Sequence, residues 1–180
     1  MATKTDNQII QIFLPIIQQG LIDDGFTGIT VKQSNQPTQQ GIPATPTVYF
    51  LKVANRRYGF LGRLDKWVNL VMSHHETQYM EITFQVMALV LQFPITPNQY
   101  TASDLINEVA SIMQSDKTRD ILNNNGIGIL RVTDISNPYF VDDRDQFEAS
   151  PSFDFTLTYQ DDRVSEIAIV DEYDYKILTI

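Results

Sequence analysis

The chain has 180 residues, the size of one domain, and its 43% hydrophobic and 19% charged residues place it in the globular range. It contains no cysteine, which excludes disulfides, thiolate catalysis and cysteine metal clusters. The formal charge is −9, from 22 acidic and 13 basic residues, a field that disfavours specific reading of DNA but allows a surface past which DNA slides.

The first residues, Met1 to Asp6, lack the basic start and apolar core of a secretion signal. Asp6 is expected to cap a first helix, in which Ile9, Ile10, Phe13, Leu14, Ile16, Ile17 and Leu21 recur at helical spacing. Pro15 removes a backbone donor there and predicts a kink or interruption. Packing of this stripe on a sheet is the plainer reading, against a partner-binding or membrane helix.

Thr30 to Lys32 reads as the start of a strand. Residues 33–47 are rich in Gln, Asn, Pro, Thr and Gly, and loops of this length in a domain are usually functional or disordered. Val48 to Ala54 reads as a strand apolar on both faces, which suggests a central position or a subunit contact, and Arg56-Arg57-Tyr58-Gly59 as the turn after it.

Tyr79 to Leu91 carries the clearest strand pattern, with Met80, Ile82, Phe84 and Val86 alternating against Glu81, Thr83 and Gln85. The apolar run from Phe84 to Ile95 is broken by Gln85, Gln92 and Pro94 and is too short to span a bilayer as a helix, so no membrane segment is expected. Ser103 is placed to cap a helix containing Leu105, Ile106, Val109, Ile112 and Met113. A second short helix through Arg119, Ile121 and Leu122 should end at Asn123-Asn124-Asn125-Gly126, a run suited to left-handed caps.

Ile127 to Val132 and Ser152 to Gln160 read as strands, the latter with Phe153, Phe155, Leu157 and Tyr159 on one face. Residues 167–180 form a last strand or an arm. About three helices and five or six strands, not in strict βαβ alternation, predict a single α+β domain: a mixed, mainly antiparallel sheet with helices packed on one face.

Chemistry-bearing clusters are sparse. His74-His75-Glu76 is the one gathering of metal-ligand types, but adjacent residues diverge and the chain has no third histidine. A surface loop or strand end is the plainer reading, and no nucleophile motif supports catalysis there. Asp142-Asp143-Arg144-Asp145 with Glu148 lacks the glycine and spacing of a calcium loop, and Gly126-Ile127-Gly128 lacks the third glycine of a dinucleotide loop. No cofactor, metal site or enzymatic activity is expected.

One stretch is more distinctive. Ile129-Leu130-Arg131-Val132-Thr133-Asp134-Ile135 leads into Asn137-Pro138-Tyr139-Phe140-Val141-Asp142-Asp143-Arg144-Asp145-Gln146-Phe147-Glu148, followed by Ser152-Phe153-Asp154-Phe155-Thr156-Leu157-Thr158-Tyr159. This segment resembles the C-terminal half of the neck and tail terminator family of tailed bacteriophages and prophages. The helix at 6–24 and the strands at 48–54 and 80–91 are compatible with that family.

The resemblance implies a mixed α/β sandwich and a structural role. Such terminators form a ring, usually of six subunits, at the head-proximal end of the tail. The ring stops growth of the tail tube, meets the tail sheath protein in contractile tails, and docks the neck or head-completion protein. The protein would then be a virion component, assembled in the host bacterial cytoplasm and away from membranes.

Ring subunits meet through heterologous contacts, for which exposed aromatics and paired charges are suited. The interface candidates are Tyr139, Phe140, Asp142, Asp143, Arg144, Asp145, Phe147 and Glu148, together with Arg56 and Arg57. Core packing of Phe140 and Phe147 under a turn is an equal alternative. Six copies would carry a charge of about −54, consistent with a lumen through which DNA passes without specific binding. The loop at 33–47 and the segment at 167–180 are candidates for ordering on a partner. A head-completion or stopper protein is the nearest alternative. A small-molecule binding protein or enzyme using His74 and His75, and a nucleic-acid module using Arg56-Arg57-Tyr58, are alternatives of other classes.

Overall fold

A computed structural model describes residues 4–34, 45–68, 71–90, 100–141 and 147–167. Its elements, in chain order, are α1 (Asp6–Asp23), β1 (Thr30–Gln33), β2 (Thr47–Val68), β3 (Val71–Leu89), α2 (Ala102–Gln114), α3 (Asp116–Asn124), β4 (Ile127–Val132), β5 (Tyr139–Val141), β6 (Phe147–Ala149) and β7 (Ser152–Glu166). Five strands form one sheet in the order β1-β2-β3-β7-β4, in which β1 and β2 are parallel and the other pairs antiparallel. This is the expected α+β architecture. The separate β5–β6 ladder falls in the aromatic and acidic segment, where the sequence reading placed no strand.

Helix α1 buries Ile9, Ile10, Phe13, Ile17 and Leu21, the stripe expected from its periodicity. Its N-cap is Thr5, whose extended backbone lets its hydroxyl accept from Gln8 N–H while Gln8 Oε1 accepts from Thr5 N–H, a reciprocal capping box. Asp6, the expected cap, is instead the first helical residue. From there its carboxylate accepts a hydrogen bond from Lys52 Nζ at 2.6 Å, tying the helix to β2. Pro15 does not break the helix. It lies on the exposed side, and Gln11, four residues back and robbed of its usual donor, is exposed as well, so water can satisfy that carbonyl.

The same displacement occurs at α2, where Thr101 and not Ser103 is the cap, paired with Asp104 in a second box. Helix α3 is capped by Ser115 and gives way at Gly126, whose φ of +68° is the left-handed turn expected of the Asn-Gly run.

The core lies between the helices and one face of the sheet. Alternation on the three central strands sends Val48 and Phe50, Met80 through Ala88 at every second residue, and Phe153, Phe155, Leu157 and Tyr159 to the helical side. Phe13 stands at the centre, its ring edge-on to Phe50, Phe84 and Phe155 at centroid distances of 5.1, 4.9 and 5.3 Å. Gly20 brings α1 close to α2: a Cβ there would stand 2.8 Å from Ile112.

A candidate interaction surface

The largest departure from the sequence reading lies after Ala54. Arg56-Arg57-Tyr58-Gly59 does not turn the chain. β2 continues to Val68, and β3 begins at Val71, eight residues before the expected strand. Both run on because each finds a partner: β2 pairs β3 from Thr47↔Leu89 to Val68↔Val71, and β7, running to Glu166, pairs β3 down to Ser73. The described core takes no residue of β2 beyond Phe50 and none of β3 before Met80. Beyond that point the sheet is a three-stranded arm with β3 in its middle. The nine residues of β3 from Val71 to Tyr79 give it a length of roughly 30 Å.

On the outer strand of the arm every residue from Val53 to Trp67 is exposed. β1 pairs β2 only from Thr47 to Phe50, so this part of β2 is also a sheet edge among the described residues. Several large apolar side chains stand in water: Phe60 is 97% exposed, Trp67 63% and Leu64 53%. Exposed apolar groups gathered in this way are characteristic of interaction surfaces.

Phe60 owes its position to a bulge. Tyr58 pairs Tyr79 and Gly62 pairs Thr77, so Gly59, Phe60 and Leu61 stand opposite the single residue Gln78. Gly59 makes the bend with a φ of +72°, and the Gln78 amide donates to the carbonyls of Tyr58 at 2.7 Å and Tyr79 at 3.2 Å. The stacked rings of Tyr58 and Tyr79 close its base.

The charges of the arm are unevenly divided between its strands, with Arg63 of β2 paired across to Glu76 of β3 at 3.5 Å. Its edge strand carries Arg56, Arg57, Arg63 and Lys66 against Asp65, a net of +3 in a chain of −9. On one face, Asp65 and Glu76 flank His74, whose Nδ1 lies 2.5 Å from Asp65 Oδ1 and whose Nε2 lies 3.6 Å from Glu76 Oε1. The hydrogen bond to Asp65 is the main cause of a His74 pKa raised above its usual 6.5. On the other face His75 stands in register with Leu64 and Val164, and its Nε2 is buried without a hydrogen-bond partner among the described residues. The histidines are thus mid-strand residues on opposite faces, not a loop or strand end. No group of three metal-ligating side chains assembles among the described residues.

A second surface lies on the helices. α1, α2 and α3 enclose a groove of about 570 Å³ with Ile12, Pro15, Ile16, Gly20, Ile112 and Ile121 among its lining. Its rim carries Asp23, Asp24 and Glu108, with Lys117 donating to Asp23 at 3.0 Å. Burial, and then the hydrogen bond with Asp24, raise the Glu108 carboxyl above its ordinary range.

Of the interface candidates named from sequence, Arg56 and Arg57 lie on the exposed edge of the arm, and Arg56 also lines a recess with Glu81 and Arg131. Tyr139 and Phe140 lie in β5 and Phe147 and Glu148 in β6, in the register Tyr139↔Ala149, Phe140↔Glu148 and Val141↔Phe147. Their side chains fall outside the description, as do Asp142, Asp143, Arg144 and Asp145, most of the 33–47 loop and residues 168–180. The sequence reading passed over Phe60, Leu61, Leu64 and Trp67. The available signal was that apolar residues continue to Val68 without a proline or an Asn-Gly pair to end the strand.

The family model for the E217 gateway protein gp29 matches residues 8–169, which include the sheet, the arm, α2, α3 and all but the first two residues of α1. The chain belongs to this family. The phage neck and tail-terminator resemblance seen in residues 129–160 therefore holds across nearly the whole sequence. Among solved structures, the fold is similar to the sheath/tube terminator of an extracellular contractile injection system, PVC, in its extended state. That alignment takes in 100% of this chain and 66% of the terminator, at 11% identity and a TM-score of 0.44, too distant a likeness to transfer partners. No curated protein matches the sequence.

Proposed function

We propose that this member of the gateway family acts, as a single terminator-like domain, in a ring of six subunits at the head-proximal end of a phage tail. The ring ends growth of the tail tube, and of the sheath where the tail is contractile, and offers a docking face to the neck or head-completion protein. DNA passes through its lumen without specific binding. The role is structural and non-enzymatic, exercised in the virion after assembly in the host cytoplasm.

The observation that carries this reading is the arm. A strand that exposes fifteen consecutive residues on both faces, among them Phe60, Leu64 and Trp67, is a poor design for an isolated molecule and a suitable one for an assembly. The acidic excess of the chain suits a lumen that DNA crosses without adhering.

The test is electron microscopy of particles from a phage or prophage with an early stop codon in this gene. Tubes or sheaths of irregular excess length without heads are expected. Normal-length tails beside leaking heads would move the protein to the head side of the neck, as a stopper. Normal infectious particles would refute the structural role.

A further inference from the structure

We propose that the arm and the helix groove are the two halves of one interface, the Phe60–Leu61 bulge and cationic edge of one copy seating in the α1–α2–α3 groove of the next copy. This rests on the reading of the chain as a ring subunit and names the contact that would build the ring.

Three observations converge on a second copy as the occupant. The bulge is a built feature: a left-handed glycine sets the bend, and the Gln78 amide of β3 ties the Tyr58 carbonyl just before it, so the backbone that carries Phe60 is held out from the sheet. A rigid aromatic gives up little entropy when it enters a pocket, which is why such residues anchor interfaces. The groove supplies what Phe60 lacks, an apolar floor of isoleucines and Pro15 with room for an aromatic ring and a neighbouring leucine.

The charges match as well. Arg56, Arg57 and Lys66 lie along the strand that carries the knob, with Arg63 paired inside the arm to Glu76 at 3.5 Å, while Asp23, Asp24 and Glu108 line the groove against a single lysine. Lys117 is the one cation in the groove lining, and it is already bonded to Asp23, which leaves Asp24 and Glu108 together without a cation from the lining. Knob and groove are made by different elements, so each copy has one of each. That is the requirement for a head-to-tail contact that propagates and closes by rotation.

The native chain has no cysteine, so crosslinks can be placed cleanly. Chains carrying Leu61→Cys, which keeps the Phe60 ring, and, separately, Ser111→Cys, a residue of the groove lining, are purified, mixed and oxidised. Sedimentation of the unmodified chain and negative-stain microscopy are run in parallel. A disulfide joining the two kinds of chain is expected, and Phe60→Asp should weaken self-association by about tenfold or more, with an unchanged melting temperature at dilutions where both chains are monomeric. Mixed crosslinks, or their absence despite association, decide the interface. Association without the mixed crosslink, or a Phe60→Asp chain that associates like the parent, overturns it, as does a chain that stays monomeric and uncrosslinked. A mixed crosslink in particles that stop at closed dimers would keep the interface and remove the ring. The stop-codon experiment reports on tail termination independently of either result.

Discussion

Gly20→Ala tests the packing that forms the floor of the groove. A Cβ at Gly20 would lie 2.8, 2.8 and 2.9 Å from Cδ1, Cγ2 and Cγ1 of Ile112. Carbon atoms prefer about 3.5 to 4.0 Å, so the two helices would need to separate by roughly 0.7 to 1 Å or Ile112 would need to leave its rotamer. Ile112 is buried and branched at Cβ, which leaves its first torsion little freedom in a helix. Overpacking of this kind costs about 1 to 3 kcal/mol, and the better helix propensity of alanine returns up to about 1 kcal/mol. The net expectation is a loss of about 1 kcal/mol. Ile112→Ala alone should cost about 2 to 5 kcal/mol through the buried atoms it deletes. In that background the obstruction is gone, so Gly20→Ala should become stabilising by up to about 1 kcal/mol. The change of sign amounts to a coupling of about 1 to 3 kcal/mol. Urea unfolding followed by far-ultraviolet circular dichroism for the four chains reads it directly. Equal effects of Gly20→Ala in both backgrounds would refute the close approach of the helices.

Phe13→Ala should destabilise the fold by about 3 to 5 kcal/mol, since the ring is fully buried against Phe50, Phe84 and Phe155, and the same urea titration checks it. Gly59→Ala meets no atom within 4 Å, so its cost is that of a left-handed backbone alone, about 1 to 2 kcal/mol. That loss should appear as faster amide exchange in the arm with the core unchanged. His74 has a folded pKa above 6.5, so the stability it lends the arm is fully present below that pH and lost as pH rises through the elevated value. Proton NMR titration should find the raised value, Asp65→Asn should return it towards 6.5, and the fluorescence of Trp67, the chain's single tryptophan and a residue of the same arm, should follow the same pH window.

Much of the fold is written locally. The stripe from Ile9 to Leu21, the alternation from Met80 to Val86 and from Phe153 to Tyr159, and the left-handed Gly126 are consequences of side-chain periodicity and backbone sterics that need only near neighbours. The cap positions were missed by one or two residues because a capping box requires a particular backbone angle as well as an oxygen. Thr5 and Thr101 have it, whereas Asp6 is already helical and Ser103 lies within α2.

The arm is only faintly marked in the sequence, for a different reason. From Val53 to Trp67 no face is buried, so no alternation of apolar and polar residues announces a strand, and two arginines before a glycine look like a turn. What makes the segment a strand is its pairing with β3, and what extends β3 is β7: Thr77 donates to Asp162 across 85 residues of sequence. Nor could the groove be read in advance, since it exists only where three helices meet and Pro15 and Ile121 come to share one hollow. The amino-acid sequence by itself determined the α+β class and the core faces, because these rest on local periodicity, and residues 129–160 carried the resemblance to a known family. Only the tertiary structure brought together an exposed edge, a bulged phenylalanine and an apolar groove, because such surfaces are made by residues distant in the chain and left uncovered by the fold.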